Sequence, residues 1–278
     1  MLRLLDIELH KLRYSRSAKI LTLTYFILIS FIALFASIEF DLGSVHFRLA
    51  DQGIFNFPFI WHFNSYIAAL LKLFLAIVIV SMMSNEYSNR TLKQNLIDGM
   101  SKKEFVLSKF FTILLFSLIS TLFLFVVSLF LGYSFSDYTE LSIVFSDMEY
   151  LLAYFVKITG FFAFCMFLGI LIKRSAFALG FLFIWWILEN IANGILSWRI
   201  FSESDMAEKI VQFFPLSSMS NLVVEPFSRL NVIQTAATQI GSELDKDYSV
   251  HWYQLLIVIA WTFIFVFLSY TLLKKRDL

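Results

Sequence analysis

Six long apolar blocks alternate with polar segments along the chain. Each block exceeds the ~17 residues that a helix needs to cross the ~30 Å hydrocarbon core of a bilayer. The blocks lie at about Ile20–Ser37, His62–Ser84, Val106–Gly132, Leu151–Ile172, Phe177–Leu196 and Gln254–Leu273. This pattern predicts an all-α integral membrane protein with six transmembrane helices, forming a single transmembrane domain over residues 1–278.

The composition agrees with a membrane location. Hydrophobic residues make up 59% of the chain and charged residues 15%, and there are 34 Phe, whereas soluble domains are nearer half apolar and a quarter charged. The first block is too long for the core of a signal peptide, so the basic residues before it favour a retained helix. Cys165 is the one cysteine, which excludes an intramolecular disulfide and a cysteine metal cluster.

The basic residues predict an orientation in the membrane. Of the 22 Lys and Arg residues, 15 fall before the first block, around the second polar segment, in the short loop at Lys173 or in the tail. The net charge of that side is +9, against −9 for the other side. Because cytoplasmic loops are rich in Lys and Arg, both termini are predicted to be cytoplasmic. We therefore expect a multi-pass protein of a cell membrane, most simply the bacterial cytoplasmic membrane.

The polar loop at residues 85–105 contains a helix stop and a restart. Leu92, Leu96 and Met100 recur at helical spacing and share one face. Gly99 suits a left-handed residue at a helix end, and Ser101 with Glu104 forms a capping box for the next helix. The sequence predicts a short amphipathic helix that joins a newly capped membrane helix. It either lies on the lipid headgroups or docks on a partner, and its apolar face is buried against that partner or the chain's own helices.

Two other polar segments flank the predicted membrane core. Residues 1–19 place Leu5, Leu9 and Leu12 on one face with cations around them, which predicts an interfacial helix. The outer segment at residues 198–253 is broken by Pro215 and Pro226, so it cannot form one continuous helix. Short re-entrant or interfacial helices are predicted there, between spans five and six.

Three ionisable residues, Lys72, Lys157 and Glu189, fall inside apolar blocks. Such charges are costly and are usually paired or directed at a wet cavity. Lys157 is long enough to extend outward to the interface. Glu189 is too short to do so, and Lys72 is its predicted partner. Asn190 and Asn193 extend the polar stripe of Glu189, a pattern more typical of helix–helix contact than of a substrate site.

Motifs for common chemistry are absent from the sequence. There is no GxxxxGK[ST] phosphate loop, no HExxH and no GxSxG, and the four histidines have no metal-ligand spacing. The chain is therefore not expected to be an enzyme or to hold a cofactor or metal of its own. Membrane lipid is an expected partner, and nucleic acid is not.

Three parts of the sequence together resemble a known family. They are the opening amphipathic helix IELHKLRYSRS, the loop at residues 85–105, and Phe214-Pro215-Leu216 in the outer segment. The loop residues that carry the likeness are Glu86, Asn89-Arg90-Thr91-Leu92, Asp98-Gly99, Ser101-Lys102 and Lys109. The chain resembles the membrane subunit of ABC transporters of the type-2 permease class. It departs from that family in having Arg90 where a glycine usually precedes Thr91, and in lacking a proline near Gly99.

The resemblance implies a specific division of labour. The short loop helix would be a coupling helix that docks on a separate cytoplasmic ABC ATPase subunit, which binds ATP and Mg²⁺. The permease would pair with a second copy or a homologue and form the translocation path, as an exporter. Two alternatives stay open: an ion-coupled secondary transporter that uses Lys72 and Glu189, and a membrane anchor subunit that carries no cargo.

Overall fold

The fold is built from long apolar helices, seen in a computed structural model that describes residues 2–32, 39–42, 45–48, 52–201, 206–239 and 246–276. The first half contains α1 (Leu2–Tyr14), α2 (Arg16–Ser30), α3 (Phe59–Leu70), α4 (Lys72–Ser88), α5 (Thr91–Ile97) and α6 (Lys102–Phe135). The second half contains α7 (Leu141–Val144), α8 (Glu149–Ile172), α9 (Ser175–Ile195), α10 (Met206–Val211), α11 (Pro215–Asn221), α12 (Asn231–Gln239) and α13 (Trp252–Lys275).

Several of these helices are long and apolar enough to cross a membrane. Among the described residues, four segments meet this condition: Lys102–Phe135, Leu141–Ile172, Ser175–Ile200 and Trp252–Lys275. The pair α3 and α4 makes a fifth if it is counted as one span bent by 44°. The predicted first span is represented by α2, and its remainder at residues 33–38 lies outside the described residues. The described part of the chain thus has several helices that could cross a membrane, as a multi-pass membrane protein requires, and the count of six spans stays a prediction.

Helix α8 is the centre of the bundle. It packs against α3, α4, α6, α9 and α13. In the most apolar 18-residue stretch of each span, 78% of the residues are buried for the span that contains α8, against 17% for that of α9 and 22% for α13. A helix that is apolar all round must be enclosed by protein or by lipid. Helix α8 meets this condition inside the protein, whereas α9 and α13 leave broad apolar faces for lipid or another chain.

Two interruptions shape the second and fifth predicted spans. Leu71 separates α3 from α4 at the 44° bend. Helix α9 ends in a π-helical turn at Leu196–Ile200, a form common where helices are locally distorted. The bend places Lys72 at the first position of α4.

The outer segment at residues 198–253 forms short helices, as its two prolines predict. Pro215 is at the first turn of α11, a position that tolerates a missing N–H. Pro226 precedes a single 3-10 turn at Phe227–Arg229. Helices α10 and α12 flank these two elements, and residues 202–205 and 240–245 of this segment lie outside the described residues.

One small element departs from the all-helical prediction. Strands β1 (Glu39–Leu42) and β2 (Val45–Arg48) pair antiparallel, with Glu39 opposite Arg48 and Leu42 opposite Val45. Polar and apolar residues alternate in this stretch, which is the strand period. Apart from this hairpin, the regular elements of the described residues are helical, as predicted.

Candidate coupling site and the charges inside the bundle

Helix α5 is a short, sharply delimited element between α4 and α6. Arg90 precedes it in the left-handed region (φ 57°), and Gly99 follows it at φ 96°. Ser101 and Glu104 form the predicted capping box at the start of α6: Ser101 Oγ accepts from the Glu104 N–H at 3.1 Å, and Glu104 Oε2 accepts from the Ser101 N–H at 2.8 Å. The predicted stop and restart are confirmed.

The apolar face of α5 packs on the chain's own helices. Leu92 is 2% exposed and belongs to the core, and Leu96 and Met100 pack against that core. Helix α4 is the neighbour of α5 in this contact. Of the two outcomes open from the sequence, burial against the chain itself is observed for Leu92, whereas Leu96 and Met100 are half-buried.

The opposite face of α5 is exposed and is here called the docking face. It consists of Arg90, Lys93, Gln94 and Ile97, and Ile97 is 69% exposed. Gln94 Nε2 donates to Asp98 Oδ1 at 2.9 Å along the helix. The docking face thus presents one apolar side chain beside two cations, on a helix whose other face packs on the core of the chain.

A cluster of four charges, Glu8, Lys11, Glu86 and Lys109, joins α1, α4 and α6; three of its side chains are buried, and that of Lys11 is 34% exposed. Lys109 Nζ is 2.5 Å from both Glu8 Oε2 and Glu86 Oε1. Lys11 Nζ is 2.8 Å from Glu86 Oε1 and 3.4 Å from Glu8 Oε1. Two carboxylates balance two ammonium groups, as buried charges require. The four-charge cluster therefore fixes the first helix to the bases of α4 and α6.

Helix α5 is attached to this cluster through its first residue. Thr91 Oγ1 donates to Glu86 Oε2 at 2.5 Å. Burial lowers the pKa of Lys11, but the hydrogen bond to Glu86 and the negative charges of Glu8 and Glu86 outweigh it, so the pKa is raised above its ordinary value. Lys11 is therefore charged at neutral pH, and it pairs with Glu86, which also accepts the hydrogen bond from Thr91.

A second set of contacts joins α6 to the end of the chain. Lys102 Nζ donates to the carbonyl oxygens of Arg276 at 2.8 Å and Lys274 at 3.3 Å. Arg276 in turn donates to the carbonyls of Ile170 and Leu171 at the end of α8. Basic side chains commonly satisfy terminal helix carbonyls in this way. Lys102 therefore holds α13 in place and is not part of the docking face.

At the other end of the bundle, Glu189 and Lys157 hold the two ends of α11. The Glu189 carboxylate accepts from the N–H groups of Leu216 and Ser217 at 3.0 and 2.9 Å, and from Trp185 Nε1 at 2.7 Å. Lys157 Nζ donates to the carbonyls of Ser220 and Val223 at 3.1 and 3.2 Å. A negative side chain at the start of a helix and a positive one at its end both interact favourably with the helix dipole.

These contacts correct two predictions about the intramembrane charges. Lys157 is 3% exposed and donates to backbone carbonyls at the end of α11, so the prediction that its ammonium group extends to the solvated interface is wrong. Glu189 has partners in α9 and α11, and no ion pair with Lys72 occurs among the described residues. The physical reason is that backbone groups of α11, far away in sequence, satisfy both side chains.

Lys72 lies instead beside a cavity of about 720 Å³. Its Nζ is 4.4 Å from the centroid of the Phe161 ring. Glu189, Asn190 and Asn193 also line this cavity. The structure therefore brings the four predicted intramembrane polar residues to one space, but Asn190 and Asn193 are exposed and bond within their own helix.

Comparison with known proteins places the chain in a family. The profile of DUF2705, described as a protein of unknown function, matches residues 25–278. The chain belongs to the DUF2705 family. A comparison with curated proteins gave no match. The matched range of the DUF2705 chain includes α5, the cavity and α11, whereas α1 with Glu8 and Lys11 precedes it.

Several contact residues of this DUF2705 protein were missed from the sequence. The sequence predicts α1 as an interfacial helix and gives no separate role to Glu8 or Lys11, although Glu8 is 1% exposed. Arg276 was counted only as a charge of the tail. The i, i+3 spacing of Glu8 and Lys11 was the available signal, but it does not distinguish a surface pair from a buried one.

Proposed function

We propose that this protein is the permease subunit of an ATP-driven ABC transporter of the type-2 permease class. Helix α5 would be the coupling helix that docks on a separate cytoplasmic ATPase, which supplies ATP, Mg²⁺ and hydrolysis. A second permease copy or homologue would complete the translocation path, with export as the direction. The family assignment names no function, so the proposal rests on sequence resemblance and the geometry of α5.

The observation that carries the proposal is the way α5 is held. One face is packed on α4, its first residue is bonded to Glu86, and the capping box begins α6 four residues after Ile97. Helix α6 then continues for 34 residues. A partner that moves α5 would move the base of a long membrane helix with it, because only residues 98–101 separate the two helices.

The four-charge cluster supports the same role. Breaking a buried ion pair by removing one partner commonly costs about 3–5 kcal/mol. Lys109 is shared by Glu8 of α1 and Glu86 of α4, so displacement of one helix base would strain the others. In the proposed transporter, this cluster transmits the docking movement from α5 to α1, α4 and α6.

The ion-coupled alternative loses its main support. It required Lys72 and Glu189 as an interacting pair, whereas Glu189 accepts hydrogen bonds from the start of α11. The anchor-subunit alternative makes the same docking prediction and differs only in carrying no cargo.

Co-purification tests the proposal. The protein, isolated from its native membrane in mild detergent, should bring with it a soluble subunit that contains GxxxxGK[ST]. Ile97→Glu should reduce recovery of that subunit at least tenfold without lowering thermal stability, because burial of an exposed Ile contributes about 1.5–3 kcal/mol to binding. Ile200→Glu, which changes an isoleucine that is 57% exposed at the predicted outer side, is the matched control and should retain it.

Leu92 distinguishes docking from folding in the same experiment. Leu92→Ala should destabilise the isolated protein by about 2–5 kcal/mol, since it empties a core position. Absence of any nucleotide-binding subunit from the wild-type preparation, or full recovery with Ile97→Glu, would contradict docking through this face.

A further inference from the structure

The cavity beside Lys72 has the features of a ligand site. Its volume of about 720 Å³ falls within the range of about 300–1,000 Å³ that is usual for small-molecule pockets. It lies among α3, α4, α9 and α11, and the central helix α8 contributes Phe161. Most of the lining is aliphatic or aromatic, so an apolar body would fill it.

Lys72 is the uncompensated charge of this cavity. Among the residues that the structure describes, its ammonium group has no hydrogen-bond acceptor or carboxylate, and its contact is the face of Phe161. Glu189 and Lys157 are by contrast satisfied by the backbone of α11. An intramembrane charge without a partner is costly, and an anionic ligand would remove that cost.

The helix break adds to the attraction for an anion. Helix α4 begins at Lys72 after the 44° bend, and Ala69, Leu70 and Leu73 on both sides of the break line the cavity. The start of a 17-residue helix carries a partial positive charge. Interrupted membrane helices direct such starts at anionic groups in several transporter folds.

The cavity opens onto the apolar surface of the bundle. Four of its lining side chains are at least half exposed, namely Leu70, Leu73, Phe183 and Trp186. A ligand would therefore enter from the space that acyl chains occupy and need not cross from water. This geometry suits a molecule with an apolar chain and a negatively charged headgroup.

We propose that this cavity binds an anionic amphiphile from the bilayer, with its carboxylate or phosphate on Lys72 and its acyl chain against Phe161 and Trp186. The shared chemistry is an anion joined to a hydrocarbon tail, whether a free fatty acid or an anionic phospholipid. This binding site is independent of the proposed docking of an ATPase, and it exists in the permease alone.

Quenching of Trp186 fluorescence by brominated acyl chains tests this site. Purified protein in neutral detergent is titrated with dibromostearate, its methyl ester, and phosphatidylglycerol or phosphatidylcholine that carries dibrominated chains. The anionic probes should bind at least tenfold more tightly than the methyl ester and phosphatidylcholine. The Trp186→Phe variant identifies the quenched component. Tight binding of stearate alone indicates a fatty acid site, and tight binding of phosphatidylglycerol indicates a phospholipid site.

Lys72→Met is the decisive variant, because it keeps a long unbranched side chain and removes a costly charge. It should fold with unchanged or higher thermal stability and lose the tenfold preference for anions, whereas Lys72→Arg should retain it. Lys19→Gln, which removes an exposed cation, should bind like the wild type. Equal binding of charged and neutral probes to the wild type, no quenching by any probe, or an unchanged preference in Lys72→Met would overturn the proposal. If a second copy of the chain covered the cavity, no probe would quench the Trp186 fluorescence, and the proposal would be overturned in that way.

Discussion

At the scale of single residues, Arg90 holds a backbone conformation that is costly for a residue with a Cβ. It precedes α5 with φ 57° and ψ 17°, and its side chain makes no capping hydrogen bond. Residues with a Cβ adopt this region at a cost of roughly 1–2 kcal/mol. Glycine adopts positive φ without this cost, so the backbone geometry at position 90 favours glycine. Arg90 is exposed, so its charge is available to a partner at the expense of local strain.

Replacement of Arg90 by glycine should therefore stabilise the protein. We expect Arg90→Gly to raise the free energy of unfolding by about 1 kcal/mol, because glycine adopts positive φ without a steric cost. Thermal unfolding in detergent measures this. Asn89→Gly is the matched control: Asn89 has φ −90°, so glycine brings no relief there. A fall in stability for Arg90→Gly would mean that the arginine side chain contributes more to the fold than its backbone costs.

At the scale of elements, α11 is the clearest case of a helix held from outside. It has seven residues, and isolated helices of this length are not stable in water. Glu189 satisfies N–H groups at its start, and Lys157 satisfies carbonyls at its end. The two long helices α9 and α8 thus position the short one through charge-assisted hydrogen bonds, which are stronger than neutral ones.

Loss of either contact should loosen α11. We expect Lys157→Met and Glu189→Gln each to lower the free energy of unfolding by about 1–3 kcal/mol, since each leaves buried backbone groups without a partner. The double variant should lose less than the two single losses combined, because one helix depends on both. Lys72→Met is the matched control, as Lys72 makes no hydrogen bond among the described residues. Strict additivity would show that the two side chains act independently.

Local sequence chemistry predicted some of these elements well and others not at all. The stop at Gly99 and the capping box at Ser101 depend on residues within one turn, so they could be recognised from spacing. The partners of Glu189 are 27 and 28 residues away, and nothing in the sequence distinguishes Leu216 N–H from any other donor. The prediction for Lys157 fails because a long side chain can reach either solvent or neighbouring backbone. Only the fold shows that the carbonyls of Ser220 and Val223 are within its reach.

At the scale of the whole molecule, α6 connects the two predicted sides of the membrane. Its 34 residues span ~51 Å at 1.5 Å per residue. Ser101 precedes its first residue, and Asp137 follows shortly after its last; both are exposed. The charge distribution predicts that Ser101 is cytoplasmic and Asp137 is outside.

Thiol labelling in intact cells tests this orientation. Ser101→Cys and Ser175→Cys should be shielded from an impermeant maleimide until the cells are opened, whereas Asp137→Cys should be labelled directly. Ser242→Cys is predicted to be labelled as well, although residue 242 lies outside the described residues. The buried Cys165 should not react in either condition. Labelling of Ser101→Cys in sealed cells would reverse the predicted orientation and remove α5 from the cytoplasm.

The central claim is that the docking face of α5 contacts a cytoplasmic ATPase. Site-specific photo-crosslinking in native membranes tests it most directly, with a photoreactive amino acid in place of Ile97 and, as control, in place of Asp137. Mass spectrometry of the adducts should identify a soluble subunit containing GxxxxGK[ST] for position 97 and none for position 137. Adducts from position 97 with lipid alone would contradict the account and assign α5 to the membrane surface.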